Sequence, residues 1–411
     1  MTKFFDKHFS QDQKKKFQDL ILEAWAENDL SFNAVESFSF KRLLTFLNPA
    51  CANAIPSRRK FANKLLPEES SRELVTQKAA MLSEQKATSS CVTLILDTWE
   101  NVARNHILGV MLLLQGRTLV WGSLGVGLRN DGLALAALVE RLIIDVMAAG
   151  FDIGCLVTDD AGNFARARRI LAFRWPKIIF QFCLAHQVNL IVKDVLKNNE
   201  FQNIAVAAAK VINVFNASTS KWLPRLKARC IYVYGKSWSL LRLMEVRWNS
   251  AQAAFASLLR IRTAVKSFVI MNQYRSDFPH TLKCAGTDIF WEKVEYAESI
   301  IRPMSYASFI FQRTNASMAH AVYIFFRIYL SFRANSASDL IEIIERRWLA
   351  MEQPLFMLAI HLDPRFQPVV DALQPQTSLT GPAQIVEVAV IYYQQLIGLI
   401  SAYSEVSPTI G

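Results

Sequence analysis

IGCLVTDDAGNFARARRILAFRWPKIIFQFCLAH, residues 153–186, changes its periodicity three times. IGCLVTDD (153–160) is a short apolar run ending in two carboxylates, the pattern of a buried strand. AGNFARARRILAFRW (161–175) spaces its apolar residues for a helix, which Pro176 stops. KIIFQF (177–182) reads as a second strand, and HQVNLIVKDVLKN (186–198) as a second helix. Short links between strands and helices imply parallel strands joined by right-handed crossovers.

Working upstream, CVTLILD (91–97), HILGVMLLL (106–114) and TLVWGSLGV (118–126) are three more β-type runs. Gln115-Gly116-Arg117 makes a tight turn, so the last two pair as an antiparallel hairpin. LALAALVERLIIDVMAAG (133–150) follows with helical periodicity and a glycine at its end. The expected order is β-β-β-α-β-α-β-α, a mixed sheet covered by helices on both faces. Around this α/β core of residues 91–200, the sequence predicts a polar helical region over 1–90 and an all-α region over 201–355. A C-terminal helical segment follows over 356–411. Within the all-α region, 251–271 and 319–332 read as single amphipathic helices, and 385–403 reads as the last helix.

The chain has 411 residues, 52% of them hydrophobic and 20% charged, which describes a globular protein. No apolar run reaches the ~18–20 residues of a membrane span, and the charged N-terminus is unlike a signal peptide. An intracellular chain with no membrane partner is expected. Its six cysteines form no Cys-x-x-Cys pair and are read as reduced thiols. Charge is concentrated: residues 159–260 hold 16 Lys and Arg against 5 Asp and Glu, which accounts for the whole net charge of +11. Such a segment points to a polyanion-binding face, with a solvated basic helix surface as the plainer reading.

Two carboxylates stand out. Asp97 ends the first expected strand and Asp159 the fourth, and in this topology those strands are neighbours at the sheet centre. Strand-end aspartates are common turn formers. Two at matched positions are also what a hard divalent cation needs, with waters and phosphate oxygens completing its shell. Cys183 and His186 have metal-ligand spacing at a strand-to-helix junction. They supply two ligands where structural zinc takes four, so zinc is not expected. Support of an active site and simple packing remain the two readings of this pair. No Gly-x-Gly-x-x-Gly turn marks a dinucleotide site, and no small-molecule cofactor is expected.

TLILDTWEN (93–101), VTDDAGNF (157–164), FCLAHQVNLIV (182–192), VRWNS (246–250) and FMLAIHLDPRF (356–366) occur in that order. Together they resemble the core of the hAT superfamily of DNA transposases over roughly residues 90–370. The resemblance implies a ribonuclease H-like domain interrupted by an α-helical insertion, a nuclear location, DNA as partner and Mg²⁺ or Mn²⁺ as cofactor. It implies a metal-binding and catalytic role for Asp97 and Asp159, with Asp160 standing where the family often has Asn. Trp248, after Arg247, would lie near flanking DNA, and Arg166, Arg168 and Arg169 are further candidate DNA contacts in the basic segment. Cys183 and His186 would support the active site.

The family's third acid is a Glu in a Ser-Glu-Arg-x-Phe-Ser motif within a dimerisation segment, and this sequence departs from it. Ser404-Glu405-Val406 lacks the following Arg and Phe-Ser, so Glu405 is not assigned the role. An N-terminal zinc finger of the family type is also missing. The expectation is a transposase-derived DNA-binding protein that is catalytically incomplete, with homo-oligomerisation open. The alternatives are an active nuclease using another acid, such as Glu342 or Glu345, and a domesticated interaction protein without a nucleic-acid role.

Overall fold

The computed structural model describes residues 8–127, 131–244, 249–313, 315–335, 337–351, 353–371 and 382–397. The chain divides into two compact units, one of Met1–Ser90 with Leu119–Trp121 and one of Cys91–Thr118 with Gly122–Gly411. In the first lie helices α1 (Gln11–Glu27), α2 (Phe38–Leu47) and α3 (Leu66–Thr88). A capping box starts α1: the Gln13 amide donates to Ser10 Oγ (3.2 Å) and the Ser10 amide to Gln13 Oε1 (2.8 Å). Trp25 anchors the small core, edge-on to Phe40 and Phe61 and near Leu22 and Val35.

Apart from Leu119–Trp121 of β3, the second unit holds a five-stranded mixed sheet: β1 (Val92–Glu100), β2 (His106–Leu114), β3 (Arg117–Gly125), β4 (Ile153–Thr158) and β5 (Ile179–Phe182). The strand order is β3-β2-β1-β4-β5. β2 and β3 are joined by Gln115 and Gly116 alone, at φ 46° and 85°, the two positive values of a type I′ hairpin turn. β1 runs antiparallel to β2 and parallel to β4, which runs parallel to β5. The crossovers are helices α4 (Gly132–Ala148) and α5 (Gly162–Arg174), and α6 (Leu184–Lys197) follows β5. Asp131 starts α4 by accepting the Leu133 and Ala134 amides, each at 3.0 Å.

One strand differs from its expectation. β1 does not end at Asp97; Thr98 and Trp99 carry on the ladder opposite Leu108 and Ile107, and the strand stops only at Glu100. Thr and Trp are good strand formers, and the pairing with β2 outlasts the pairing with β4.

Beyond α6 the unit is helical: α7 (Asn199–Ala217), α8 (Trp222–Tyr234), α9 (Ser250–Arg260), α10 (Arg262–Asn272), α11 (Asp288–Phe311), α12 (Ala319–Ala334), α13 (Ser338–Leu349) and α14 (Gln353–Leu362). The expected single helix over 251–271 is two, broken at Ile261 (φ −111°) with neither Gly nor Pro at the joint. Ile261 is fully buried, so packing sets the bend. A last helix, α15 (Pro382–Ile397), is described, while residues 398–403 of its expected span lie outside the described residues.

One continuous apolar core ties α6 to these helices, running from Val188 and Ile191 through Phe215, Phe268 and Trp291 to Phe332, Ile344 and Phe356. Polar groups of the 356–366 motif hold structure: Asp363 accepts the Arg365 amide (3.1 Å) and the Ser317 hydroxyl (3.1 Å). No described helix is long and apolar enough to cross a membrane.

Trp99 and Asp97 share a face of β1, and the Trp99 ring lies across Gly109, the residue paired with Asp97. A Cβ on Gly109 would sit 2.6 Å from Trp99 Cζ3. Gly109→Ala is expected to displace the indole and cost about 1–3 kcal/mol, measured by urea unfolding. A variant as stable as the parent would show that the ring is not held there.

Candidate active site at the carboxyl edge of the parallel strands

The parallel ladder carries one irregularity. Val92 pairs with Ile153 but Thr93 pairs with Cys155, leaving Gly154 as an extra residue in β4. From there the register runs evenly to Ile95 beside Val157. Extended two residues past the end of that ladder, the register points Asp97 toward Asp159, whose charge acts on it. On the other side Thr158 pairs with Phe182, so one residue on Asp159 stands beside Cys183. The Cys183 amide donates to the Thr158 carbonyl at 2.7 Å, which carries the β5 register to that point. Asp97 on β1, Asp159 one residue past β4 and Cys183 one residue past β5 therefore form one row at the sheet edge. Residues of one rung in a parallel pair project from the same face.

Electrostatics agree with the row. Partial burial is the largest influence on Asp97 and holds its carboxyl above the ordinary value. The Thr98 amide, bonded to Asp97 Oδ1 at 3.0 Å, opposes this; the nearby Asp159 charge adds to it; His186 opposes it. Cys183 is raised as well, first by burial, and the charges of Asp97 and Asp159 add to the effect. The helix-start amides of His186 and Ala185 pull it the other way. A thiol held above its ordinary value is neutral at physiological pH, a poor nucleophile and a poor metal ligand. All four of Asp97, Asp159, Cys183 and His186 thus meet at one edge of the sheet.

The two neighbouring aspartates are separated by what binds them. Asp159 Oδ1 accepts the Ala161 amide (3.0 Å), turning the chain into α5. Asp160 is clamped: its Oδ1 takes Arg168 Nη2 (3.2 Å) and its Oδ2 takes Gln187 Nε2 (3.1 Å). Gln187 Oε1 accepts Arg347 Nη1 (3.2 Å), and Arg347 also pairs with Asp194. A polar chain therefore runs from α13 across α6 to the loop carrying Asp159. Among the described residues, two buried donors, Gln181 Nε2 on β5 and Arg347 Nε, have no hydrogen-bond partner.

Arg168, expected at a phosphate-facing surface, is only 6% exposed. It donates to the Thr158 hydroxyl and the Asp159 carbonyl, and its guanidinium lies 4.4 Å from the Phe182 ring centroid. It positions the acid loop. The sequence carried the signal: Phe164, Arg168 and Leu171 follow the i, i+4, i+7 spacing of a buried helix stripe, and all three are buried. Arg166 and Arg169 are exposed on α5. Arg247 and Trp248 lie outside the described residues.

Glu342 and Glu345 do not complete the acid pair. Arg347 marks the side of α13 facing α6; at about 100° per residue, Glu345 lies about 200° and Glu342 about 140° around the helix from it. Glu345 instead lines an apolar cavity of about 300 Å³ with Phe325, Phe326 and Trp348. Among the described residues no three His, Cys, Asp or Glu are placed to hold one metal ion. The donors that fit a hard cation are the two carboxylates, which leave the rest of its shell to water and phosphate oxygens.

Residues 56–212 match the family described as Domain of unknown function (DUF659), a span that includes β1 to β5 and the whole row. No curated protein matches the chain.

Two outcomes test this geometry. Arg168→Ala should cost about 2–4 kcal/mol in chemical unfolding, because it removes the buried guanidinium's bonds to Thr158, the Asp159 carbonyl and Asp160, whereas exposed Arg169→Ala should stay within about 0.5 kcal/mol. Equal effects would remove the clamp. The folded chain also holds the Asp97 proton more tightly than the unfolded chain does. Ionising Asp97 therefore costs stability as pH rises through the carboxylate range, and in acid that cost vanishes. Asp97→Asn should raise Tm at pH 7, the gain closing as pH falls below the ordinary value of 3.8. A lower Tm at pH 7 would mean that a cation already neutralises this carboxylate.

Proposed function

We propose that this chain is a transposase-derived DNA-binding protein of the hAT kind, working in the nucleus on a ribonuclease H-like core. The single observation carrying this reading is the row that brings Asp97 and Asp159 together on adjacent central strands. The DUF659 match adds support, since that domain occurs in hAT-type transposase-like proteins. The order β3-β2-β1-β4-β5, with β1 and β4 side by side, is what the ribonuclease H-like reading requires. The helical region between α6 and α14 would be the insertion.

Asp97 and Asp159 would hold Mg²⁺ or Mn²⁺, which when bound neutralises charge building up on phosphate oxygens. Arg168, Asp160 and Gln187 fix the loop from which Asp159 projects. Trp99, half-exposed on the strand face of Asp97, offers its indole beside the acids. Two carboxylates without a third acid hold a cation weakly, and losing one member of a catalytic set costs orders of magnitude in rate. Strand transfer by these residues alone is therefore not expected.

The test is a labelled DNA duplex incubated with the chain in Mg²⁺ or Mn²⁺, alongside Asp97→Ala/Asp159→Ala. The expected result is binding that weakens roughly 50-fold between 50 and 200 mM salt, as for three or more phosphate contacts, with no strand joining. Metal-dependent cutting lost in the double variant would establish an active nuclease with another acid. Salt-insensitive binding without cutting would overturn the proposal in favour of an interaction protein.

A further inference from the structure

The basic surplus of the chain is not centred on the acid pair. Between Glu200 and Glu245 there is no Asp or Glu, while Lys210, Lys221, Arg225, Lys227, Arg229, Lys236 and Arg242 fall in that interval. Four of the seven lie on α8 or at its ends. α8 buries Trp222, Leu226 and Cys230 and turns the opposite side outward. Arg225, Arg229 and Tyr232 follow the i, i+4, i+7 spacing and form one stripe along the edge of the buried face.

The stripe borders a shallow groove of about 300 Å³ whose other wall is Phe268, Met271 and Asn272 of α10. Among the described residues, Lys221 pairs with Asp277, but no carboxylate pairs with Arg225, Lys227, Arg229 or Lys236. Arg225 lies over Trp222 (5.1 Å) and Arg229 over Tyr232 (4.7 Å), while Arg229 Nε donates to Ser267 Oγ (2.8 Å). Tyr232 is itself 79% exposed. Unneutralised arginines call for a polyanion. An exposed ring within the same stripe calls for one that also offers flat faces to stack on.

We propose that the α8–α10 groove is a track for single-stranded nucleic acid, with Arg225 and Arg229 on the phosphates and Tyr232 stacking a base. An anionic membrane would use the charges but has no ring for Tyr232 to stack on. The inference takes its class of partner from the proposed function, and its residues are separate from the acid pair.

The experiment is fluorescence anisotropy of a labelled 20-nucleotide DNA, single-stranded and as duplex, with the full chain. Three variants are compared with the parent: Arg225→Gln/Arg229→Gln, Tyr232→Ala, and Lys86→Gln/Lys293→Gln, which removes the same charge from residues outside the groove. The groove double variant should weaken binding at least about tenfold and flatten the dependence of log Kd on log salt by about two. The control double variant should stay within about threefold, neither lysine lining the groove. Tyr232→Ala should weaken the single strand about tenfold and the duplex less than about twofold.

Equal losses in the two double variants, or none, would overturn the track. So would loss of binding to vesicles containing phosphatidylserine with DNA binding unchanged. Failure of the acid-pair reading appears separately, as Asp97 and Asp159 variants indifferent to metal while the groove variants still lose DNA. The reverse pattern discards the groove and keeps the acids.

Discussion

A single extra residue in β4 decides which side chains meet at the sheet edge. Without Gly154 the pairing Val92–Ile153 would continue unshifted and set Asp97 beside Thr158; with it, Asp97 faces Asp159. In a strand, a shift of one residue also reverses the face on which every side chain lies. The bulge therefore converts two ordinary strand-end aspartates into a pair of like charges on one face. That arrangement works against folding: burial holds Asp97 above its ordinary value, and the charge of Asp159 adds to it. A fold keeps such a conflict where the charges are used, and a cation with bound phosphates is what would relieve it.

The rest of the second unit fixes this row in place. Arg168 is sacrificed to the interior of α5 so that the Thr158–Asp160 loop has one geometry, and Gln187 and Arg347 extend the hold into the helical region. The apolar core shared by α6 and the later helices makes that region a support for the edge rather than an appendage. The cation-rich surface lies elsewhere, on α8, so the positive charge of the basic segment is divided between a buried structural role and an exposed one.

Much of the sheet was legible because its strands are short runs of Val, Ile and Leu bounded by turns. The Gln115–Gly116 hairpin and the Pro176 stop come straight from local backbone preferences. Asp97, Asp159, Cys183 and His186 could be picked out for the same reason, as polar residues where apolar runs end. What escaped depended on pairing. The continuation of β1 past Asp97 comes from β2 alongside it, and the break at Ile261 comes from burial without any breaker residue. The bulge at Gly154 leaves no trace in a periodic pattern of six residues. Arg168 was misread because ARARR looks like a solvated basic face, although its spacing with Phe164 and Leu171 marks the interior.

Electron paramagnetic resonance of Mn²⁺ titrated into the full chain with a DNA oligonucleotide tests the central claim most directly. The account predicts one bound Mn²⁺ per chain, lost in Asp159→Asn, because the row that carries Asp97 and Asp159 is the cation's place. No bound Mn²⁺ in the parent chain, or the same count in Asp159→Asn, would contradict it.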